Sequence, residues 1–273
     1  MLAARALLAG LSIARLLLEG ADADARRFAP SYASSTVVHA ASQQSGTFAP
    51  NTIVTLYGKE LAYVTRGIAA SDIHDGLLPT IMAGTGVRVY VDEAPAPLYF
   101  VSPTQVNLLL PAGLRAGVHR LHLALDGRAG PVVEVRVAAA APGLFLQQPG
   151  LGIAVRLDGS LVSEAKPARA GDTLVLFATG LGETAGLAPR GGELAREAAA
   201  LKAMDGFGVT LNGRAAPRDH IYYAGLAPGF AGLYQINLRL PDGTPDDPEI
   251  RLVAGEVESP AGVRLAVRRG RGE

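Results

Sequence analysis

One stretch of this chain occurs twice. Gln105-Val106-Asn107-Leu108-Leu109-Leu110-Pro111-Ala112-Gly113 returns as Gln235-Ile236-Asn237-Leu238-Arg239-Leu240-Pro241-Asp242-Gly243, each residue 130 positions further on. Read with a period of two, Val106, Leu108 and Leu110 share one face and Gln105 and Asn107 the other, and the second copy repeats the pattern with Ile236, Leu238 and Leu240. This is the pattern of a half-buried β-strand. The closing proline cannot donate to a ladder and the glycine two residues later accepts positive φ, so both copies stop in the same way. Two further blocks recur in the same order. Asp172-Thr173-Leu174-Val175-Leu176-Phe177 matches Asn51-Thr52-Ile53-Val54-Thr55-Leu56, 121 positions on, and the nine residues from Val209 match those from Val89, 120 positions on. The chain therefore reads as two similar β-units in series. Because the displacement rises from 120 to 130, the second unit carries ten extra residues between Pro217 and Gln235, within residues 222–234.

Composition supports an all-β class. Thirty-three glycines and 18 prolines among 273 residues supply frequent turns, and 49% hydrophobic against 18% charged residues leaves enough apolar surface for two cores. Lys+Arg and Asp+Glu both number 25. Without net charge there is no global field to collect nucleic acid or an anionic membrane. The absence of cysteine removes disulfides, thiolate metal sites and cysteine nucleophiles.

Residues 1–25 read as a secretory signal: Arg5 precedes an apolar run, and small-residue patterns at Ala21-Asp22-Ala23 and Ala23-Asp24-Ala25 suit a signal peptidase; Arg15 and Glu19 interrupt the pattern, and the alternative is an Ala/Leu-rich helix retained in the mature protein. No other run approaches the ~18 apolar residues of a membrane span, so the mature chain is expected to be secreted, periplasmic or at the cell surface. Residues 26–47 read as a linker with one short strand near Val37, 48–140 as the first β-sandwich unit, 141–268 as the second, and 269–273 as a basic tail. Residues 59–86 lack a pattern and are expected to form a long surface connection. Residues 193–204, rich in Ala, Leu and Glu, predict one short helix between strands. Asp126-Gly127 and Asp158-Gly159 each sit between apolar runs and predict hairpins.

Ala49-Pro50-Asn51-Thr52-Ile53-Val54 with Tyr57-Gly58, Ala94-Pro95-Ala96-Pro97-Leu98-Tyr99-Phe100-Val101-Ser102-Pro103, Ala141-Pro142-Gly143-Leu144-Phe145, Ala178-Thr179-Gly180-Leu181-Gly182 and residues 224–230 together carry a resemblance. The chain resembles the uncharacterised Solibacter-type C-terminal domain family of acidobacterial exported proteins, and its units are similar to the Ig-like domains of plexins and transcription factors. The resemblance implies export and a tandem of Ig-like sandwiches. It implies no reaction, cofactor or functional residue. Such modules usually end much longer proteins.

No catalytic or metal-ligating set stands out. His119 and His122 lie three apart on a strand and so face opposite ways; Asp242, Asp246, Asp247 and Glu249 lack the alternating spacing of a calcium loop and read as a solvated turn. There is no Gly-x-Ser-x-Gly elbow, and Gly84-Thr85-Gly86 precedes a strand instead of following one. Gln105/Asn107 and Gln235/Asn237, being duplicated, are expected to satisfy backbone groups of a crossing loop, the alternative being a polar binding face. The candidate binding surface is Tyr222, Tyr223, Phe230, Leu233 and Tyr234, in the stretch where the two units differ. We expect this stretch to fold inward as a plug, since two exposed large apolar side chains would forgo roughly 1.5–3 kcal/mol each. The sequence reads as a non-enzymatic adhesion, binding or spacer module without cofactors, its partner a protein or a glycan. The alternatives are a carbohydrate-binding module using that stretch and a hydrolase without a recognisable motif.

Overall fold

The computed structural model describes residues 29–185 and 191–268. The expected signal segment and basic tail lie outside these residues. In the first half, a five-stranded antiparallel sheet runs in the order β1 (Val37–His39), β3 (Ile53–Tyr57), β8 (Gln105–Leu109), β7 (Leu98–Val101) and β4 (Arg66–Gly67). A second sheet runs β2 (Thr47–Phe48), β11 (Val133–Val137), β9 (Gly117–Leu125), β5 (Val87–Val91) and β6 (Ala94–Pro95), with β10 (Arg128–Ala129) folded back on the end of β9. Alternation makes these strands two-faced. Val54, Leu56, Leu98, Val106 and Leu108 of one sheet meet Val87, Val89, Leu121, Leu123 and Val135 of the other in a single buried cluster. The result is a sandwich.

The second half repeats the order of the first sheet and part of the second, with no counterpart of β2 and β11 among the described residues. One sheet runs β12 (Gly143–Leu144), β16 (Thr173–Thr179), β21 (Tyr234–Arg239), β20 (Ile221–Leu226) and β17 (Ala199–Ala200), with β15 (Ala154–Arg156) also on β16. The hairpin of β13 (Leu146–Gln148) and β14 (Leu151–Gly152) stands beside it. Facing it is β19 (Arg214–Ala215), β18 (Phe207–Leu211), β22 (Ile250–Ala254) and β23 (Val257–Glu258). Leu174, Leu176, Ile236 and Leu238 close on Val209, Leu211, Ile250 and Leu252.

The duplicated strands occupy equivalent places: β8 between β3 and β7, β21 between β16 and β20. Even the irregularity recurs, with register slips between Leu98 and Phe100 and between Ile221 and Tyr223. The Asp126-Gly127 hairpin forms with φ of 48° and 80°, the two positive values a type I′ turn requires.

A third apolar cluster joins the halves. Ile53, Leu78, Tyr99 and Leu109 of the first pack with Phe145, Phe177, Ala227, Ala231 and Leu233 of the second. This seam explains why β8 is covered on both faces. Asn107, expected on a polar face, is fully buried, as is Leu109 two residues on, whereas the corresponding Asn237 and Arg239 of β21 stay partly exposed.

Four expectations need correction. No helix forms over residues 193–204; Ala199–Ala200 pair as β17 with Leu226 and Gly225, and only the last residues turn, as the 3-10 segment Met204–Gly206. Helix propensity is a fraction of a kcal/mol per residue, and the edge of the sheet outbids it by satisfying backbone groups and burying Leu201. Residues 59–86 are no surface connection, because Leu61, Ala62, Leu78 and Met82 are buried. The segment 26–47 forms its expected strand near Val37 as β1, but it is no linker, because β1 pairs with β3, Thr47 joins β2 on β11, and Ser31 bridges to Lys59. Within 222–234, the first five residues belong to β20, so the connection between strands is only residues 227–233.

Candidate functional site

The five residues singled out from sequence do not form one surface. Tyr222 is 59% exposed, Tyr223 and Phe230 are half-buried, and Leu233 and Tyr234 are 2% and 1% exposed. Alternation along β20 and β21 explains the split between Tyr222 and Tyr234, since inward positions of these strands enter the core of the second half. The Tyr223 hydroxyl donates to the Leu226 carbonyl at 2.7 Å, and that of Tyr234 to the Gly182 carbonyl at 2.5 Å. Burial pushes the Tyr234 phenol well above its ordinary pKa. Only Tyr222 is left fully available to a ligand, which removes the compact aromatic paratope.

The connection itself is the plug. Leu233 and Ala231 lie in the seam, with Phe230 packed at its margin. Gly232 makes this approach feasible: at φ +64° it sits so close to the first half that a Cβ would lie 2.2 Å from a Leu109 methyl and 2.7 Å from the Asn51 carbonyl oxygen.

Polar groups register the two halves. Thr179 Oγ1 accepts the Ile53 N–H at 3.0 Å and donates to the Gly232 carbonyl at 2.7 Å, both bonds buried. The Tyr99 hydroxyl donates to the Ala231 carbonyl. Leu78 N–H donates to Gly192 O at 2.9 Å and Leu194 N–H to Gly76 O at 2.8 Å, so the segment expected to be helical instead pairs across the seam. His39, isolated in sequence, is one of its key residues. Its Nε2 donates to the Ala141 carbonyl at 3.1 Å while Nδ1 accepts the N–H groups of Ala41 and Ser42 at 3.3 and 3.4 Å. Those partners fix the neutral tautomer. Burial lowers its pKa to about 4, since no carboxylate accompanies it. A Cβ at Gly143 would strike its ring at 2.4 Å, and one at Gly180 would strike the Ala141 carbonyl oxygen at 2.2 Å and press within 3.1 Å of the ring, so these two glycines shape its pocket.

A cleft of about 700 Å³ opens at one end of the junction, lined from both halves. Its walls are mostly Ala, Gly, Leu and Phe207. Its described lining holds one carboxylate, Glu183, ion-paired to Lys202 at 3.1 Å, and no Ser, Thr, Cys or His. Those residues assemble neither a nucleophile with a base nor a pair of carboxylates.

The other sequence candidates are dispersed. His119 Nδ1 meets Asp92 at 2.7 Å and Nε2 donates to the Arg115 carbonyl at 2.8 Å; the bond to Asp92 raises its pKa. His122 instead stacks on Tyr90, ring centres 5.0 Å apart. Asp242 pairs with Arg239, Asp247 with Arg268, and Glu249 accepts the Gly262 N–H, so these acids diverge. Among the described residues no three His, Asp or Glu side chains gather as metal ligands. The duplicated amides bond to each other and not to a crossing loop: Gln105 Nε2 donates to Asn107 Oδ1 at 2.9 Å, and Gln235 Nε2 to Asn237 Oδ1 at 2.8 Å. They lie two apart on one face of the strand, and that spacing lets them meet.

No family model matches the chain, and no curated protein matches it. Among solved structures, the chain is similar to the SGBP-B protein of the Bacteroides ovatus mixed-linkage glucan utilization locus, solved with a mixed-linkage heptasaccharide. The identity is 13% and the TM-score 0.33, over 88% of this chain and 46% of that one. The full extracellular region of plexin A4 matches at 11% identity and TM-score 0.29, over 94% of this chain and 17% of that one. Domains 5–6 of the S-layer protein SbsC match at 10% identity and TM-score 0.27, over 88% and 99%. The chain thus spans less than half the length of the first two. Values this low identify no common fold.

Proposed function

We propose that this chain is a non-enzymatic, secreted or cell-surface binding module built as a tandem of two Ig-like β-sandwiches, and that it belongs with the Solibacter-type exported domains it resembles. The observation that carries the reading is the seam. Three buried clusters in series, the middle one shared by both halves and crossed by the bonds of Thr179 and Tyr99, suit a stiff unit that presents its outer sheet faces. Such a unit needs no moving lid and no assembled acid–base set. It does need exposed strand faces, and it has them on β5, β9 and β11.

The test is a glycan array with the purified chain, run beside binding to envelope fractions of the producing cell. Specific retention on a glycan or an envelope component is the expected result. Turnover of an arrayed glycan, or hydrolysis of a panel of ester and peptide substrates abolished by a single point substitution, would contradict the non-enzymatic assignment.

A further inference from the structure

The outer face of the second sheet in the first half carries residues that the fold does not need. Along β5, Arg88 and Tyr90 point outward between the buried Val87, Val89 and Val91; along β9, Arg120 and His122 do so on either side of the buried Leu121; along β11, Glu134 and Arg136 flank the buried Val135. The register sets Tyr90 opposite His122 and Glu134 opposite Arg120. The face is therefore a stacked Tyr90–His122 pair bordered by three arginines and one facing carboxylate, with Asp92 at the strand end near Arg120.

The internal repeat provides a control. Phe207 and Ala254 pair in the second half as Val87 and Leu125 do in the first, so Gly208, Thr210, Glu249 and Arg251 stand where Arg88, Tyr90, Arg120 and His122 stand. The equivalence extends to the turn: Arg120 N–H donates to Asp92 Oδ1 at 2.9 Å and Glu249 N–H to Asn212 Oδ1 at 2.7 Å. One architecture thus tolerates glycine, threonine and glutamate at three of these positions. The fourth, Arg251, is ion-paired to Glu258. Folding alone does not call for the first-half set. None of Arg88, Arg120 and Arg136 takes part in an ion pair among the described residues, and neither the Tyr90 hydroxyl nor the His122 ring nitrogens have a hydrogen-bond partner there.

We infer that this face binds an acidic polysaccharide bearing carboxylates on its rings. The inference rests on the binding-module reading and names its ligand class. Guanidinium groups grip carboxylates through two parallel N–H bonds, and unpaired exposed arginines keep that capacity free. The Tyr90–His122 pair offers an apolar body with a polar rim, which suits a sugar ring with a carbon face and hydroxyl edges. The register puts Arg88 on one side of that single platform and Arg120 on the other, so a carboxylate on either side of a seated ring meets a guanidinium. Nucleic acid fits less well, since the chain carries no net charge and the cationic face spans only three strands. A protein partner would be expected to seek a deeper apolar anchor than a half-exposed ring pair.

Titration calorimetry of the full chain with oligogalacturonate, neutral cello-oligosaccharide and a sulfated heparin oligosaccharide tests this. Tyr90→Thr and Arg120→Glu are the variants, because the second half uses those residues at the same positions, and thermal melts verify that both remain folded. Oligogalacturonate should bind, each variant should weaken it at least tenfold, and the neutral oligosaccharide should not compete. No binding of oligogalacturonate, or equal binding by wild type and variants, overturns the inference. Heparin binding as tight as oligogalacturonate and indifferent to Tyr90→Thr marks a bare charge patch and overturns it too. Array or envelope binding that both variants retain would leave the module reading standing while this inference falls; failure of both assays removes both.

Discussion

Gly232→Ala should be among the most damaging small substitutions in the molecule, and its near neighbour Gly229 isolates the reason. Both glycines lie in the connection from β20 to β21 with positive φ, +64° and +84°. An alanine at either position bears the strain of a left-handed backbone, roughly 1–2 kcal/mol. At Gly229 the added methyl meets nothing within 4 Å. At Gly232 it meets a Leu109 methyl and the Asn51 carbonyl oxygen, both well inside contact distance. Leu109 is fully buried in the seam, and a backbone oxygen cannot rotate away. Overpacking of this kind adds about 1–3 kcal/mol. Gly229→Ala should therefore cost about 1–2 kcal/mol and Gly232→Ala roughly 2–5 kcal/mol in urea melts. The difference between them measures docking of the connection onto the first half. Equal costs would refute the reasoning, because they would mean that residue 232 is as free of the first half as residue 229.

Leu108→Ala and Leu238→Ala, both fully buried at equivalent places in the two cores, should each cost roughly 2–5 kcal/mol in the same melts; neutral variants would show that the strand faces are assigned backwards. His39 makes stability fall with acid. Its folded pKa of about 4 lies below the ordinary 6.5, so its contribution is full above pH 6.5 and declines as the pH drops from there to about 4. The total approaches roughly 3 kcal/mol. His119, raised by Asp92, works in the opposite sense, so the comparison of wild type with His39→Gln between pH 7.5 and 4.5 isolates the seam histidine; matching slopes would remove it from the seam. Gly225→Ala should destabilise β17, since a Cβ there would lie 2.1 Å from the Ala199 carbonyl oxygen, and hydrogen exchange should report faster exchange at Leu201, whose N–H donates to Ala224 O; unchanged exchange would deny the pairing.

These residues also show how far the sequence reaches. Features governed by nearest neighbours were legible: the alternation of Val106, Leu108 and Leu110, the positive-φ turn at Asp126-Gly127, and the opposite facing of His119 and His122. Those that depend on one half meeting the other were not. Leu109 and Asn107 look like an exposed face until the second half covers them, and residues 193–204 look helical until Gly225 opens room for β17 beside β20. His39 carries no local signal, since its pocket is made by glycines more than 100 residues away. The aromatic candidates failed for a different reason: richness in tyrosine says nothing about which of Tyr222 and Tyr234 points inward until the strand register is known. Tyr90 and His122 sit on separate strands, and only pairing places them together.

The buried seam shared by the two halves predicts that they unfold as one body. Differential scanning calorimetry of the purified chain tests it most directly. A single transition with equal calorimetric and van't Hoff enthalpies is the predicted result, shifted to lower temperature as a whole by Gly232→Ala. Two separated transitions in the wild type, with Gly232→Ala moving neither, would contradict it.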